Sequence, residues 1–319
     1  MQEKGIKQRV KILKILTKGN FVSGQYIADA CNISRIAVWK HINHLISKGV
    51  KIKTHPNKGY EFISFGNRLI PEIIRLYLGP EKFVKEIVYF DEVDSTNNVA
   101  KKILKEGSLI VAEQQKKGKG RSGKIWKSEK YKDILFSLII SPYLPYYYLP
   151  IFNIIGALSV ALALNKSFKG VKAKVKWPND VLINGKKISG VLVELFAEVD
   201  LIEKLIIGIG VDINSKPKLS NATSLITILK DEKLDRAKLL VQIISELNKL
   251  YEMAKRNNLK QIQKIWNKNS LDYKRKVKIV QNGNIITGLS QGIDNCGNLI
   301  IRKGRKEISV YPTSSLKII

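Results

Sequence analysis

The most informative segment of the sequence spans residues 176–194 and reads KWPNDVLINGKKISGVLVE. It predicts two strands joined at Asn184-Gly185, a pair that tolerates positive φ and closes a tight hairpin. The first strand approaches through alternating apolar residues at 171–175, and the second, residues 188–196, is apolar on both sides and rich in β-branched residues. A polar cluster, 176–180, stands at the mouth of this hairpin. A solvated hairpin end would explain it most simply, but stretches upstream favour a binding site.

Length and composition indicate a soluble protein of two or three domains, since 319 residues exceed one typical domain and 44% are hydrophobic. The first seven residues carry charge, which argues against a signal peptide. The longest apolar run, 151–164, is interrupted by polar residues and glycine and is too short to span a bilayer. The sequence therefore predicts a cytoplasmic protein with no membrane partner.

The net charge of +29 is compatible with nucleic-acid binding. Residues 1–65 hold twelve Lys/Arg and three Asp/Glu, a net of +9, so the density of positive charge is highest there. The excess nevertheless extends over the whole chain. Charge alone therefore supports DNA binding only weakly.

Histidine and cysteine are placed informatively. His41, His44 and His55 all lie in the N-terminal part, so nothing from residue 66 onward can use imidazole as a base or ligand. That excludes a Ser-His-Asp triad and a histidine-metal site from the larger part. Cys31 and Cys296 are far apart and predict neither a disulfide framework nor a metal pair.

The N-terminal pattern predicts a winged helix-turn-helix. Helical spacing at 6–17, 23–31 and 34–47, with a turn at Asn32-Ile33, gives three short helices, and two strands with a basic tip follow. The alternative is a three-helix module for protein contacts. The residues expected to contact DNA are Ser34, Arg35, Ile36, Lys40, His41, Asn43, His44 and Lys58.

A glycine-rich cationic loop, residues 113–126, follows a short strand at 109–112. Gly118, Gly120 and Gly123 spell a dinucleotide fingerprint, and residues 118–124 spell most of a P-loop. Both motifs need a helix directly after the glycines, whereas a strand at 134–140 comes next, so both are rejected. The remaining interpretation is a loop that folds over an anion, with a solvated basic loop as the alternative.

The other elements predict an α+β protein. A helix start at Asp94-Ser95-Thr96 follows a strand at 86–90, and a core helix covers 151–166. A further strand at 201–214 has glycines near its end, which let a backbone approach a ligand closely. Two amphipathic helices precede short strands from residue 273 onward, which predict a small β-barrel. The expected domains are 1–65, 66–270 and 271–319.

In the order of these motifs the chain resembles the bifunctional biotin protein ligase and biotin operon repressor family. The resemblance rests on the winged helix, Ser95-Thr96-Asn97, the glycine loop, Lys176-Trp177-Pro178-Asn179-Asp180, Lys187-Ile188-Ser189-Gly190 and the C-terminal β region. It implies a class II synthetase-like mixed-sheet domain and an SH3-like β-barrel behind the winged helix. It also implies formation of biotinyl-5′-AMP from biotin and ATP, transfer of biotin to a lysine of the biotin carboxyl carrier protein of acetyl-CoA carboxylase, and repression of the biotin operon.

The resemblance also implies residue roles. Arg121 and Lys187 would neutralise charge at the phosphate, and Asp180 would orient or accept the acceptor lysine's proton. Mg²⁺ would arrive on the ATP phosphates without a protein cage, and a homodimer would form when the adenylate is bound and read palindromic operator DNA. Biotin would contact Ser95, Thr96, Asn97, Gln115, Lys119, Gly120, Arg121 and Lys187; the nucleotide would contact Gly118, Lys119, Arg121, Trp126, Lys176, Asn179 and Asn214.

Three positions depart from the family pattern. Lys119 and Ser122 replace loop arginines, and Asp212 stands where Asn is usual, so a carboxylate there would repel phosphate unless it binds magnesium. The alternatives to a ligase and repressor are a ligase without operator binding, a non-catalytic biotin-sensing regulator, and a lipoate-type ligase. The appended winged helix and the Lys-Trp-Pro-Asn-Asp run argue against the lipoate alternative.

Overall fold

The computed structural model describes residues 2–198, 201–217, 219–230, 234–281, 284–312 and 316–319. The chain forms two compact units. The first comprises Met1–Lys82 with Asp235–Val241, and the second comprises Phe83–Leu234 with Gln242–Ile319. The domain boundaries expected at 65/66 and 270/271 follow sequence patterns rather than compactness, and they stay predictions.

The first unit is a helix-turn-helix with a β-hairpin. Ser23 and Ser34 begin the second and third helices because each hydroxyl accepts a backbone N–H three residues on, from Tyr26 and Ala37. The helices bury one stripe each, including Ile12, Leu16, Ile27, Val38 and Ile42. Its elements are α1 (Gln2–Leu16), α2 (Gly24–Cys31), α3 (Arg35–Ser47), β1 (Lys51–His55), β2 (Gly59–Ser64) and α4 (Pro71–Leu78).

The wing is closed at its tip by a histidine. His55 Nδ1 accepts the backbone N–H groups of Asn57 (3.2 Å) and Lys58 (3.3 Å). Gly59 then turns the chain with φ of +92°, and a Cβ at this position would lie 2.2 Å from Val22 O. Only glycine fits both constraints. The expected winged helix-turn-helix is therefore present, and its basic tip is exposed.

The second unit is built on one mixed sheet. Its strands are β3 (Glu86–Phe90), β4 (Ser108–Ala112), β7 (Ile134–Ile140), β8 (Leu144–Pro145), β9 (Lys174–Lys176), β10 (Asp180–Ile183), β11 (Lys186–Glu198) and β12 (Leu201–Val211). Their order in the sheet is β3-β4-β7-β12-β11-β10-β9, and β8 pairs with β12. Among the strand pairs described, only β3 and β4 run parallel. A separate two-stranded hairpin is formed by β5 (Gly118–Lys119) and β6 (Ile125–Trp126).

The two faces of this sheet are covered differently. Helix α6 (Leu149–Ser167) packs on one face, where a Cβ at Gly156 would lie 2.7 Å from Val191 Cγ1. Helix α5 (Thr96–Ile103) packs on the other, where Asn97 lies against Gly208. Because side chains alternate along a strand, even-numbered β12 positions 208 and 210 share the α5 face.

Among the described residues, one segment has the length and hydropathy of a membrane span, and it contains helix α6. This segment, Tyr146–Ser167, has a mean hydropathy of 1.8, and 72% of its most apolar window is buried inside the fold. It is apolar because it crosses the sheet as a core helix.

The hairpin predicted for residues 176–194 is confirmed at its turn, but the prediction for the chain before the turn was wrong. Asn184 (φ 51°) and Gly185 (φ 76°) join β10 to β11, as the Asn-Gly pair predicted. The expected single first strand was wrong, because residues 171–183 form two strands, β9 and β10, which pair with each other. Pro178 lacks a ladder N–H and turns the chain between them. The Lys-Trp-Pro-Asn-Asp run is thus a tight connection between two neighbouring strands.

The remaining chain forms three helices and a second sheet. The described C-terminal strands form an antiparallel sheet in the order β16-β15-β14-β13-β17. Trp266 of α9 is fully buried. The bounds are α7 (Leu225–Leu229), α8 (Arg236–Lys255), α9 (Leu259–Asn269), β13 (Lys276–Gln281), β14 (Asn284–Ile293), β15 (Leu299–Lys303), β16 (Lys306–Val310) and β17 (Leu316–Ile318).

Candidate functional site

Glycines open a cleft on the α5 face of the central sheet. A Cβ on Gly208 would lie 2.1 Å from Asn97 Oδ1, and one on Gly210 would lie 2.6 Å from Trp126 Cε2. Gly190 is paired with Gly210 and also meets the Trp126 ring, at 3.1 Å. Side chains on these strands would fill the space that Asn97 and Trp126 occupy. The glycines therefore let two predicted ligand-binding residues lie directly on the sheet.

One end of the cleft is a buried polar network at the start of α5. Gln115 Oε1 accepts hydrogen bonds from the Thr96 N–H (2.7 Å) and the Thr96 hydroxyl (3.1 Å). The Ser137 hydroxyl lies 2.6 Å from Asn97 Oδ1, and Asn97 Nδ2 donates to Glu194 Oε2 at 2.7 Å. Ser95, Thr96 and Asn97 are at most 3% exposed. The network brings together the uncharged residues expected to hold biotin.

The glycine loop folds as a short hairpin over this face. Gly118 pairs with Trp126 and Lys119 with Ile125. Lys119 Nζ donates to Asn98 Oδ1 at 2.8 Å, which ties the loop to α5. The Gly120 N–H donates to Lys124 O at 2.7 Å, so the tip turns back at once. The loop therefore places Lys119 and Gly120, both expected to contact the ligands, beside the start of α5.

Arg121 joins the loop to two other segments. Its guanidinium donates to Asn179 Oδ1 at 3.0 Å and to the Pro312 carbonyl. Asn179 is held in turn, because its Nδ2 donates to Val191 O at 2.6 Å. Burial lowers the pKa of Arg121, while the nearby Asp180 opposes that shift. A partly desolvated guanidinium with a defined direction is suited to bind a carboxylate or phosphate.

Lys187 and Asp180 form an ion pair across the hairpin. Lys187 Nζ lies 2.6 Å from Asp180 Oδ1, and their side chains are 36% and 30% exposed. The same ammonium lies 5.6 Å from the centroid of the Trp126 ring. The structure thus brings together all three residues predicted to be catalytic, because Asp180 interacts with Arg121 as well.

The other end of the cleft contains polar atoms without partners. Trp126 Nε1 and both amide atoms of Asn214 are buried and have no hydrogen-bond partner among the described residues. A buried, unpaired polar group costs free energy unless a ligand or water satisfies it. These atoms are therefore candidates for a nucleotide base. Lys176 lies on β9, at the register position opposite Asp180.

Two buried carboxyl groups near the cleft have strongly raised pKa values. Burial and the nearby Asp133 raise the pKa of Asp212 to about 8, and Lys187 opposes the shift. Burial also raises the pKa of Asp272 to about 7, although its carboxylate accepts the Trp177 N–H at 2.6 Å. Asp272 anchors the Lys-Trp-Pro-Asn-Asp connection, and Trp177 Nε1 donates to Gly297 O at 3.1 Å.

The predicted DNA-contacting residues lie on α3, at its start and on the wing. Ser34, Arg35, Ile36, Lys40, Asn43 and Lys58 are exposed. His41 and His44 are less accessible, and burial together with Arg9 lowers the pKa of both. His44 Nε2 lies 3.8 Å from the buried carboxylate of Glu72, so this residue also contacts α4. Neutral imidazoles at positions 41 and 44 would contact DNA through hydrogen bonds and not as cations.

Sequence reasoning missed several residues that complete these sites. Ser137 and Glu194 bind Asn97, Asn98 binds Lys119, and Pro312 accepts from Arg121. Ser137 and Glu194 lie on strands, Pro312 follows β16, and Asn98 lies on α5, so each is remote in sequence from its partner. Trp39 could have been found, because it shares the helical spacing of Ile36, Lys40 and Asn43, and it is 56% exposed.

Comparison with known proteins identifies the family. Over 300 residues the chain is 32% identical to "Bifunctional ligase/repressor BirA" of Bacillus subtilis, covering 91% of this chain and 92% of that protein. The chain belongs to the bifunctional ligase/repressor family. The Escherichia coli member is 28% identical, with 92% of each chain covered. The model of the "Biotin/lipoate A/B protein ligase family" matches residues 89–212, and that of the "HTH domain" matches 9–61.

A solved structure supports the same conclusion for the fold. The chain is similar to "Biotin protein ligase from Aquifex aeolicus in complex with biotin and ATP", with 28% identity and a TM-score of 0.65. The match covers 74% of this chain and all of that one. The expected α+β class, with a helix-turn-helix, a mixed sheet and a C-terminal antiparallel sheet, is confirmed for this member of the ligase/repressor family.

Proposed function

We propose that this protein is an ATP-dependent biotin protein ligase and a transcriptional repressor of the biotin biosynthesis operon. The observation that carries the proposal is the site where Asn97 lies against Gly208, Trp126 against Gly190 and Gly210, and Lys187 against Gly190. Arg121 is linked to it through a hydrogen bond to Asn179, the residue before Asp180. Similarity along nine-tenths of the chain to a protein named as a ligase and repressor supports both halves.

The cleft supports a division between the two substrates. The buried hydrogen-bonding groups of Ser95, Thr96, Asn97 and Gln115 suit the uncharged ring system of biotin. Trp126 and the unpaired Asn214 amide suit the adenine of ATP, since an aromatic face stacks and an amide can donate and accept. Gly118, Lys119, Gly120 and Arg121 would contact the carboxylate and phosphates between them. Lys176 and Asn179 would complete the nucleotide side.

The first step joins two anions. An oxygen of the biotin carboxylate attacks the α-phosphorus of ATP, the bond to the bridging oxygen of the β-phosphate breaks, and pyrophosphate leaves. Arg121, Lys119 and Lys187 would reduce the repulsion between these anions, and Arg121 is held ready by Asn179. The hairpin of the glycine loop would exclude water from the mixed anhydride, which water would otherwise hydrolyse.

The second step transfers biotin to a lysine of a carrier domain. The neutral amine attacks the acyl carbon, AMP leaves, and the amine proton passes to a base. Asp180 is the proposed base or orienting group, because it is 30% exposed at the cleft and its Oδ1 lies 2.6 Å from Lys187 Nζ. The biotin carboxyl carrier protein of acetyl-CoA carboxylase is the proposed acceptor.

Magnesium is proposed to enter with ATP. Within the described ranges no group of three or more His, Cys, Asp and Glu residues is placed to hold a metal ion. The residues therefore do not fit a protein cage, and no step above depends on one.

The regulatory half of the proposal assigns operator binding to α3 and the wing. A homodimer would present two α3 helices to a palindrome. Strands β3 and β9 are at the ends of the described sheet path. Val175 O of β9 already accepts the Leu271 N–H at 2.8 Å, so β3 is the edge proposed to pair with a second copy. Such a protein would act in the cytoplasm, where ATP, carrier protein and DNA are all present.

ATP–pyrophosphate exchange with biotin, with lipoate and with no acid tests the ligase half. Exchange with biotin alone supports it, exchange with lipoate favours the lipoate-type alternative, and no exchange favours a non-catalytic regulator. Operator binding with and without biotin and ATP tests the second half. Binding that ignores both ligands would contradict ligand-controlled repression, and absence of binding would leave a ligase alone.

A further inference from the structure

Asp212 lies on the ligand face at the nucleotide end of the proposed cleft. It follows β12 directly, and its N–H donates to Ile188 O at 2.9 Å, so pairing with β11 continues through it. Alternation along the strand then gives positions 208, 210 and 212 the same face. Asn97 lies against the first of these and Trp126 against the second. Asp212 is thus next in line after the Trp126 position.

A second buried carboxyl group stands opposite Asp212. Val211 pairs with Ile134, and Asp133 is the next residue beyond that pair on the neighbouring strand. Like charges directly across from each other oppose folding. Asp133 is fully buried and Asp212 is 9% exposed, so neither charge is well screened by water. Two buried carboxyl groups at facing positions on neighbouring strands favour one proton over two negative charges.

The hydrogen bonds decide which carboxyl group carries the proton. Asp133 Oδ1 accepts the Ile213 N–H at 3.0 Å, and its Oδ2 accepts the Glu129 N–H at 3.5 Å. Donors of this kind stabilise the ionised form of Asp133. No hydrogen bond to the Asp212 carboxyl is found among the described residues. These hydrogen bonds favour Asp133 as the anion and Asp212 as the protonated group.

We propose that the pair of Asp133 and Asp212 carries one proton at neutral pH, that Asp212 holds it, and that Asp212 donates it in a hydrogen bond to the bound nucleotide. This rests on the proposed function. A protonated carboxyl group has the shape of a carboxamide, with one acceptor and one donor. An ionised carboxylate in that place would repel a polyphosphate instead. The pair thus makes nucleotide affinity dependent on pH.

The electrostatic surroundings agree with this assignment. Burial and Asp133 raise the pKa of Asp212 to about 8, and Lys187 on β11 opposes this increase. Lys187 is itself paired with Asp180 on β10 at 2.6 Å, which limits its stabilisation of a second carboxylate. The exposed Glu129, before β7, contributes its backbone N–H to Asp133.

The first test is the KM for ATP in biotin-dependent ATP–pyrophosphate exchange between pH 6 and 9.5. We expect the wild-type KM to rise about tenfold as Asp212 ionises, because each pH unit above its pKa reduces the protonated fraction tenfold. Asp212→Asn should remove this rise, and Asp133→Asn should move it to lower pH. Glu106→Gln, which changes a half-exposed carboxylate paired with Lys85, is the control and should leave the wild-type profile in place.

Parallel pH profiles for wild type and Asp212→Asn would overturn the inference. A higher magnesium requirement of Asp212→Asn at pH 7 would overturn it too, since it would indicate an ionised, metal-binding carboxylate. Absence of biotin-dependent exchange at every pH would instead defeat the proposed function.

A second test does not need activity. Burial and Asp133 raise the pKa of Asp212 to about 8 in the folded protein, whereas an aspartate in an unfolded chain has a pKa of about 4. Folding stability should therefore fall as pH rises through this window and level off above it. Asp212→Asn should lose that part of the fall in melting temperature. Carbon NMR of labelled aspartate should show a carboxyl group titrating near pH 8, separate from that of Asp272 near pH 7, and Asp212→Asn should remove it. Persistence of every carboxyl titration above pH 6 in Asp212→Asn would refute the assignment of the proton to Asp212.

Discussion

The two compact units present their proposed contact residues in opposite ways. In the first unit, Arg35, Ile36, Lys40 and Lys58 project from α3 and the wing and are exposed. In the second, Thr96, Asn97, Asn179 and Asn214 are at most 9% exposed. A surface that reads a large polyanion needs charge and reach, whereas a cleft that protects a reactive anhydride must exclude water.

Substitutions in the two units should therefore affect different properties of the protein. An exposed contact can be removed with little change in packing, so the effect should appear in binding and in its salt dependence. A buried contact is also part of the fold around the cleft, so small changes of shape should alter chemistry. Substitutions in the cleft should therefore have the largest effects.

The largest effects are expected from adding one methyl group to the floor of the cleft. Gly208→Ala should displace Asn97 and raise the KM for biotin, whereas Gly210→Ala should displace Trp126 and raise the KM for ATP. A shift of about 1 Å costs on the order of 100-fold in rate. Steady-state exchange assays would separate the two. Gly24→Ala, whose Cβ would meet Tyr60 at an ordinary 3.4 Å, is the control. Equal changes in both KM values would contradict separate subsites.

Asp180→Ala should slow one half-reaction more than the other. We expect transfer to an acceptor lysine to fall by about 100-fold, because general-base catalysis contributes factors of this size. Adenylation should fall less, although Lys187 loses its partner at 2.6 Å. Single-turnover assays of each step would measure this, and Asp180→Asn keeps the shape as a control. Equal losses in both steps would count against a proton-accepting role.

Arg121→Gly should release activated biotin from the cleft. The variant loses the hydrogen bonds to Asn179 and to the Pro312 carbonyl that hold the loop closed. We expect labelling of bystander proteins to increase by about tenfold, since each 1.4 kcal/mol of lost binding is a factor of ten. Blotting for biotin on mixed proteins would detect it. Lys124→Ala, on the same loop and exposed, should label only the acceptor. Labelling confined to the acceptor in Arg121→Gly would refute the role.

Glu72→Gln should destabilise the first unit without changing exchange activity. Glu72 is 2% exposed and accepts from Arg9 Nε at 2.6 Å, so glutamine would remove the negative charge beside an arginine side chain that is only 13% exposed. The expected cost is about 3 kcal/mol. Chemical unfolding followed by a probe in α3 would measure it. Glu3→Gln removes an exposed ion pair with Lys7 and should change little. A stability equal to wild type would show that Arg9 finds another partner.

Lys58→Ala is expected to give the smallest effect. The side chain is exposed at the wing tip, and its loss should weaken operator binding similarly for all sequences. The slope of log affinity against log salt should decrease by about one. Titrations at several salt concentrations would measure both. Lys264→Ala, on the exposed face of α9, is the control and should not alter the slope. An unchanged slope for Lys58→Ala would remove the wing tip from the interface.

Local patterns were sufficient for most of the elements. The Ser34 cap, the wing and the Asn184-Gly185 turn follow from interactions within a few residues, and the structure has all three. The break at Pro178 was missed because alternation on both sides of it looks like one strand. The expected ligand residues came from motif order. Their partners, such as Ser137 and Glu194, depend on strand pairing that motifs do not encode.

The sequence by itself determined the order of elements, the concentration of basic and imidazole residues in the N-terminal part, and the glycines and cations of the cleft. These are local or compositional properties, because caps, turns and charge depend on residue type and short spacing. Only the tertiary structure decided that Asp133 stands opposite Asp212 and that Arg121 reaches Pro312, 191 residues away. Register and burial set those distances, and burial next to a like charge is what shifts a proton.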